Sequence, residues 1–394
     1  MRFTDTPELA IWRGEVRSFI QQHWGAAHDR DELASHGPRS GRYAEIGAKT
    51  RTWLDKLAER RWIAPAWPEE YGGAGMSVLE QFVLSQELHE AGAPTSRPMM
   101  NLVGPTIMLH GTEEQKAEHL PPLLRGEVQW CQGFSEPGAG SDLASLQTRA
   151  VRDGDDYVVN GQKIWTSGAH TAQWMFMMAR TDPSAPKHRG ISYLLLPMNS
   201  PGLTVRPLIN MADGHAFNEV FFEDVRVPVK NRIGEENRGW YVGATTLDFE
   251  RSNISRAIHS RKSVAKLARY LRERPAGAAG AQAHRMEVAD RAVETGVCEL
   301  LSYVIVTIQA RGGVPNKEAS MCKMFGSELS QRLARTEMQV TGMAGQVRYS
   351  PYLEGYGMDP AMAYLSVVPA TIAAGSSEVQ RNIIATRGLG LPRG

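Results

Sequence analysis

The chain has 394 residues, enough for two to three domains, which excludes a small disulfide-stapled scaffold. Its 44 Lys and Arg against 43 Asp and Glu leave a net charge of +1 with no single-sign block, which argues against nucleic acid or anionic membrane as main partner. With 42% hydrophobic and 22% charged residues, the composition is that of an ordinary globular protein. The most apolar stretch, Leu300 to Ile308, is too short to span a bilayer. The N-terminus, Met1-Arg2-Phe3-Thr4-Asp5, lacks an apolar core followed by a small-residue cleavage site, so a cytoplasmic protein is expected. Cys131, Cys298 and Cys322 are odd in number and widely separated, which fits buried core residues better than disulfides or zinc. None of the 11 histidines has metal-ligand spacing, so no metal is expected.

In chain order, three regions differ in hydrophobic period: helical over 1–126, β over 127–235 and helical over 236–394. In the first, Val16, Phe19 and Ile20 recur at helix spacing, and Thr112-Glu113-Glu114-Gln115 reads as a capping box opening a helix. In the second, Tyr157-Val158-Val159, Met175-Phe176-Met177-Met178 and Glu219-Val220-Phe221-Phe222 read as strands, with hairpin turns expected at Asp153-Gly154 and Asn160-Gly161. In the third, helical spacing returns, interrupted by a loop at Pro275-Ala276-Gly277-Ala278-Ala279-Gly280.

Four stretches have residue types suited to chemistry. Gln132-Gly133-Phe134-Ser135-Glu136-Pro137-Gly138-Ala139-Gly140-Ser141-Asp142 offers glycines and hydroxyls to an anion, although composition alone favours a Gly-rich turn between strands. It is neither a dinucleotide fingerprint nor a nucleophile elbow, since the required glycines are missing. In Lys163-Ile164-Trp165-Thr166-Ser167-Gly168 a Trp beside two hydroxyls suits an aromatic cofactor, and also suits an edge strand. Gly375-Ser376-Ser377-Glu378-Val379-Gln380-Arg381-Asn382 opens a helix with Ser377 and Gln380 at capping-box spacing; its N–H groups suit a phosphate or ordinary capping. Finally, Leu247, Glu250, Ile254 and Ile258 share one helix face, which sets Glu250 in an apolar stripe with no cation at i±3 or i±4. Such a carboxylate is a base with a raised pKa, or is paired from elsewhere in the fold.

Taken together and in this order, these stretches resemble the acyl-CoA dehydrogenase family over nearly the whole chain. Pro65-Ala66-Trp67-Pro68-Glu69-Glu70-Tyr71-Gly72-Gly73 and Arg387-Gly388-Leu389-Gly390-Leu391-Pro392-Arg393 add to the match. The resemblance implies a mainly α chain with a middle β-domain: an N-terminal helical domain, a β-barrel or sandwich domain and a C-terminal four-helix bundle, enclosing FAD. It implies that Gln132, Phe134, Ser135, Trp165 and Ser167 surround the isoalloxazine ring, that Ser376 and Glu378 hold the adenosine half, and that Gln339 reaches the FAD of a neighbouring subunit. Ser141, Arg251, Ala374 and Gly375 would contact the acyl-CoA substrate, an electron-transferring flavoprotein would accept the electrons, and the assembly would be a homodimer or homotetramer.

Two departures matter. The Tyr-Glu-Gly-Thr run that carries the base in many members is here Ala373-Ala374-Gly375-Ser376, so Ala374 cannot serve. A minority place the base in a Leu-Asp-x-Glu-Arg run, which Leu247-Asp248-Phe249-Glu250-Arg251 matches, so the resemblance and the helix face converge on Glu250. The Arg-x-x-Phe-Gly segment that meets the neighbour's FAD is also missing, the region reading Arg272-Glu273-Arg274-Pro275-Ala276-Gly277. The expected reaction is α,β-desaturation of an acyl-CoA thioester, Glu250 taking the α-proton and the β-hydrogen leaving as hydride to flavin N5. Two alternatives stay open: an FAD-binding subunit of a heteromeric dehydrogenase, and an oxygen-using oxidase or monooxygenase on the same fold.

Overall fold

A computed structural model describes residues 4–25, 47–97, 99–248, 254–273 and 280–392, without the side chains of 245–248 and 281. The chain divides into two units that alternate along the sequence: Gln21–Met76 with Pro94–Glu250, and Met1–Ile20 with Ser77–Ala93 and Arg251–Gly394.

The first unit is built on strands β1 (Trp130–Gly133), β2 (Arg149–Asp153), β3 (Asp156–Lys163), β4 (Trp174–Arg180), β5 (Ile191–Pro197), β6 (Leu203–Leu208), β7 (Phe217–Pro228) and β8 (Arg232–Ile233). They form one sheet in the order β6-β7-β3-β2-β4-β5-β8, with β1 parallel to β4. Residues 175–179 of β4 and 191–196 of β5 are all buried, as continuous apolar runs are when both faces of a strand are covered. The core gathers Tyr157, Val159, Met175, Met177, Leu194, Leu196 and Phe222, together with Cys131.

Asp153-Gly154 does close the β2–β3 hairpin: Asp153 pairs with Asp156, and Gly154 supplies φ +60°. Asn160-Gly161 does not turn the chain. It lies inside β3 as an irregularity opposite β7, where Asn160 Nδ2 donates to Asp224 Oδ1 (2.9 Å) and Asp224 N donates to Asn160 Oδ1 (3.0 Å). Gly161 sits at φ +145°, and a Cβ there would stand 2.7 Å from Thr148 Oγ1 and 2.8 Å from Thr148 Cα. The dipeptide serves close strand approach, not reversal. Gly161→Ala should therefore cost about 1–3 kcal/mol in chemical denaturation. Gly154→Ala, with open space around its Cβ, should cost less, and equal costs would contradict this assignment.

The unit's helices are α1 (Pro7–His23, whose last residues fall here), α2 (Ala48–Glu59), and, after α3 (Val78–Ala91) of the other unit, α4 (Met100–His110), α5 (Glu113–Arg125) and α6 (Gly239–Asp248). The capping box at Thr112 is present, with Gln115 N donating to Thr112 Oγ1 (3.3 Å) and Thr112 N to Gln115 Oε1 (2.9 Å). Gln115 Nε2 also donates to Lys230 O (2.7 Å) and Arg232 O (2.9 Å), so the cap fixes α5 to the sheet edge.

The second unit packs α1 and α3 with α7 (Ile254–Glu273), α8 (Ala281–Ala310), α9 (Asn316–Thr341), α10 (Pro360–Val367) and α11 (Ser377–Ile383). Val16, Phe19 and Ile20 are the buried residues of α1, as their spacing predicts. Arg13 Nη1 and Arg17 Nε both bond the buried Glu87 carboxylate of α3, at 2.5 and 2.7 Å. Phe82, Ile254, Ala257, Ile258, Val306 and Leu329 form one core cluster, with Cys298 among them. The apolar stretch at 300–308 belongs to the 30-residue α8, which is long and apolar enough to cross a membrane by length and composition. Within its unit α8 is amphipathic: Val288, Cys298, Ile305 and Val306 are buried, while Met286, Val293, Val297 and Leu300 are exposed on one face. The expected loop at 275–280 lies, but for Gly280, outside the described residues.

Candidate active site

At the end of β1 the chain enters the Gly-rich stretch. Glu136 N donates to Ala139 O (2.9 Å) and Ala139 N to Glu136 O (3.0 Å), a tight turn over Pro137-Gly138. Gln132 and Ser135 are partly exposed, whereas the Phe134 ring is buried edge-on to Phe176 and Tyr193, so it is a core side chain. Ser141 is exposed beside Asp142, which is paired with Lys187.

This turn is fastened to the Trp165 segment. Lys163, the last residue of β3, is fully buried and donates from Nζ to Glu136 Oε1 (2.8 Å) and to Phe134 O (3.0 Å). Glu136 also accepts from Gln147 N (2.6 Å) and Thr148 N (2.9 Å). Ile164 N donates to Ser135 O (2.9 Å), which sets the Ser135 and Trp165 segments side by side. Burial pushes the Glu136 carboxyl up, but the Lys163 ammonium and the two backbone donors outweigh it and hold it below the ordinary value. Burial pulls Lys163 down to about 8, and Glu136 opposes that fall.

Trp165 is 55% exposed and has φ +59°, a left-handed conformation costly for a side chain with a Cβ. Its ring meets Phe217 edge-on at 5.9 Å. Thr166 is fully buried, and its Oγ1 has no hydrogen-bond partner. Ser167 is half-buried.

In the other unit, Ala374 is exposed at φ +54° and is followed by Gly375 at φ +86°. Trp165 and Ala374 are two of eight non-glycine residues at positive φ among the described residues. Lys323 of α9 donates to Gly375 O (2.5 Å) and Ala370 O (3.3 Å), and burial lowers its ammonium to about 8. The helix cap is Ser376, one residue before the expected Ser377: Val379 N donates to Ser376 Oγ at 3.3 Å. With the cap shifted, the Ser377 hydroxyl is buried without a partner, and Gln380 Nε2 donates to Gly375 O (3.3 Å). Glu378 is exposed in the first turn, and hydrogen bonds from its own backbone and Ser376 hold its carboxyl low. Gln339 is exposed on α9, and with its amide nitrogen turned toward Glu287 it donates to Oε1 at 2.8 Å.

Glu250 and Arg251 lie outside the described residues; Ile254 and Ile258, expected on the same face as Glu250, are both buried on α7. Among the described residues no His, Cys, Asp and Glu cluster could hold a metal ion.

Sequence reasoning missed the Lys163–Glu136 pair and Asn218, which ties Thr166 to β7. Lys163 follows the polar run Asn160-Gly161-Gln162, so nothing local marks it as buried. Nothing local marks Asn218.

Comparison with known proteins agrees over the whole length. Family models for the acyl-CoA dehydrogenase N-terminal, middle and C-terminal domains match residues 6–127, 131–225 and 237–389. Acyl-CoA dehydrogenase FadE26 of Mycobacterium tuberculosis is 37% identical, over 100% of this chain and 99% of that protein. Acyl-CoA dehydrogenase IpdE1 of the same organism is 36% identical over 98% of each. Among solved structures, the ChsE4-ChsE5 complex from M. tuberculosis has a TM-score of 0.84 at 36% identity, covering 100% of both chains. The Tcur3481-Tcur3483 steroid ACAD has a TM-score of 0.84 at 33% identity, also covering 100% of both. A helical region, a β-region and a second helical region in this order, with these matches throughout, make the chain an acyl-CoA dehydrogenase, a member of that family along its entire length.

Proposed function

We propose that the chain desaturates an acyl-CoA thioester between Cα and Cβ, with Glu250 as base. What carries this reading is the pairing of Leu247-Asp248-Phe249-Glu250-Arg251 with Ala374: the carboxylate is present at one position that the family uses and absent at the other. The thioester carbonyl acidifies the α-hydrogen, and Glu250 removes it. The N–H of Ala374 meets the charge that develops on the carbonyl oxygen, a role that losing the side chain at 374 leaves intact. Arg251, Gly375 and Ser141 complete the substrate contacts.

The residues present fit FAD. The exposed Trp165 ring, with the partly exposed Ser167 on its own segment and the partly exposed Ser135 and Gln132 on the segment bonded alongside it, offers an aromatic face and hydroxyl and amide donors to a flat polar ring. Gln132, Ser135, Trp165 and Ser167, with the backbone of Phe134, would hold the isoalloxazine ring, and Ser376 and Glu378 the adenosine half. When bound, FAD supplies the acceptor for the β-hydrogen, taken up as hydride at N5.

The substrate we favour is a thioester carrying a steroid-like ring system, on the support of the relative described as a steroid ACAD. The exposed apolar face of α8 supports an oligomer, with Gln339 directed to a neighbouring subunit. A paralogous partner chain is favoured over a second copy by the missing Arg-x-x-Phe-Gly segment and by the similar structure described as the ChsE4-ChsE5 complex. We place the enzyme in the cytoplasm, with an electron-transferring flavoprotein as acceptor.

The purified protein should be yellow, with about one non-covalent FAD per chain, and should oxidise a steroid-bearing acyl-CoA faster than linear ones when given an artificial acceptor. A preparation that stays colourless after adding FAD and a paralogous partner would sink the reading. Hydrogen peroxide formed without any acceptor would move it to an oxidase.

A further inference from the structure

The segment bearing Trp165 is held by a side-chain bracket centred on Asn218 of β7. Asn218 is fully buried. Its backbone exchanges two bonds with Thr166, Asn218 N to Thr166 O (3.1 Å) and Thr166 N to Asn218 O (3.0 Å), and Gly168 N donates to Ala216 O (3.2 Å). Asn218 Nδ2 donates to the same Thr166 carbonyl at 2.9 Å. A carbonyl only accepts, so this bond fixes which end of the amide is nitrogen.

Asn218 Nδ2 also faces His170 Nδ1 at 3.1 Å, so that ring nitrogen must be an unprotonated acceptor, with the proton on Nε2. Asn218 Oδ1 faces His215 Nε2 at 2.8 Å, so that nitrogen must carry a proton. The two imidazoles stack at 4.1 Å between centroids, 24° from parallel. A protonated His170 would point N–H at N–H, and turning the amide to relieve this would set Oδ1 against the Thr166 carbonyl.

We propose that Asn218 is a positioning residue that holds Trp165 in its left-handed backbone conformation, and that protonation of His170 releases it. As a statement about flavin affinity this rests on the reading that Trp165 and Ser167 hold FAD; as a statement about the loop it does not. The groups around His170 leave little else to titrate. The one titratable side chain acting on it among the described residues is His215, and apart from these two the adjoining cavity of about 670 Å³ is lined by uncharged residues, Gln173, Trp174 and Asn199 among them. His170 is exposed at one side, and the partial covering of its ring together with the neighbouring His215 ring holds it below its ordinary value of 6.5, so at neutral pH the bracket is closed.

The test uses Asn218→Asp, which keeps shape but cannot donate to Thr166 O, and His170→Asn, which keeps an acceptor near Nδ1 but does not titrate. Two readouts are taken between pH 7.5 and 5: the FAD dissociation constant, and the ¹⁹F NMR signal of Trp165 in protein made with 5-fluorotryptophan, assigned through Trp165→Phe. The wild type should lose about tenfold in FAD affinity and shift its Trp165 signal over this range. His170→Asn should do neither, and Asn218→Asp should show the weakened affinity and shifted signal already at pH 7.5. A His170→Asn protein that titrates like the wild type overturns the switch. An Asn218→Asp protein with the wild-type Trp165 signal overturns the bracket. Should the wild type bind no FAD at any pH, the cofactor reading fails while the ¹⁹F signal still decides the bracket.

Discussion

A Glu250→Gln enzyme should keep its flavin and lose turnover by roughly 10²-fold to 10⁴-fold. Gln preserves size and hydrogen bonding and removes basicity, so the loss isolates proton abstraction. Exchange of the substrate α-hydrogen with solvent deuterium should vanish with turnover, because both need the same base. Near-normal rates in this variant would place the base elsewhere. Ala374→Glu in the Glu250→Gln background offers a carboxylate at the family's other position, and partial recovery would show that both positions serve the same substrate carbon.

The second large effect falls on stability. Lys163→Met removes a fully buried ammonium and leaves Glu136 with its charge and only backbone donors, a change expected to cost about 3–5 kcal/mol. Because Lys163 also bonds Phe134 O, the Ser135 segment should loosen, and FAD affinity should fall together with the denaturation midpoint. The carboxylate adds a pH signature. Its pKa is held below the ordinary 4.5, so its contribution is complete above that pH and is lost as pH falls through the lowered native value. In Glu136→Gln this acid-side loss should disappear. A Lys163→Met protein with wild-type midpoint and FAD affinity would show the pair to be dispensable.

Much of this architecture was legible because period and local chemistry agreed. The runs of β3, β4 and β7, the Thr112 cap and the Asp153-Gly154 turn each depend on residues a few positions apart. Asn160-Gly161 has the same turn chemistry, but pairing with β7 some sixty residues later carried β3 straight through it. Ser376 and Ser377 are adjacent hydroxyls with equal credentials, and the backbone at Gly375, not the spacing to Gln380, chose between them. Asn218 and the Lys163–Glu136 pair were illegible for one reason: their partners lie 27 to 52 residues away, and no local pattern records such a contact.

The alternation of the two units has a consequence for the order of synthesis. The segments Gln21–Met76 and Pro94–Glu250 are complete once residue 250 has left the ribosome, yet α1 and α3 belong to a unit whose other helices follow later. Gln86 of α3 bonds Tyr303, 217 residues on, and Glu90 pairs with Arg261, 171 residues on. At bacterial or eukaryotic elongation rates that is a wait of roughly 10–40 seconds. Meanwhile Arg13 and Arg17 can already pair with Glu87, and Trp12 Nε1 can donate to Glu80 O. Those contacts join the two helices by residues made early, whereas the apolar side of α3 at Phe82 gains its core neighbours only when Ile254 and Ile258 have been made.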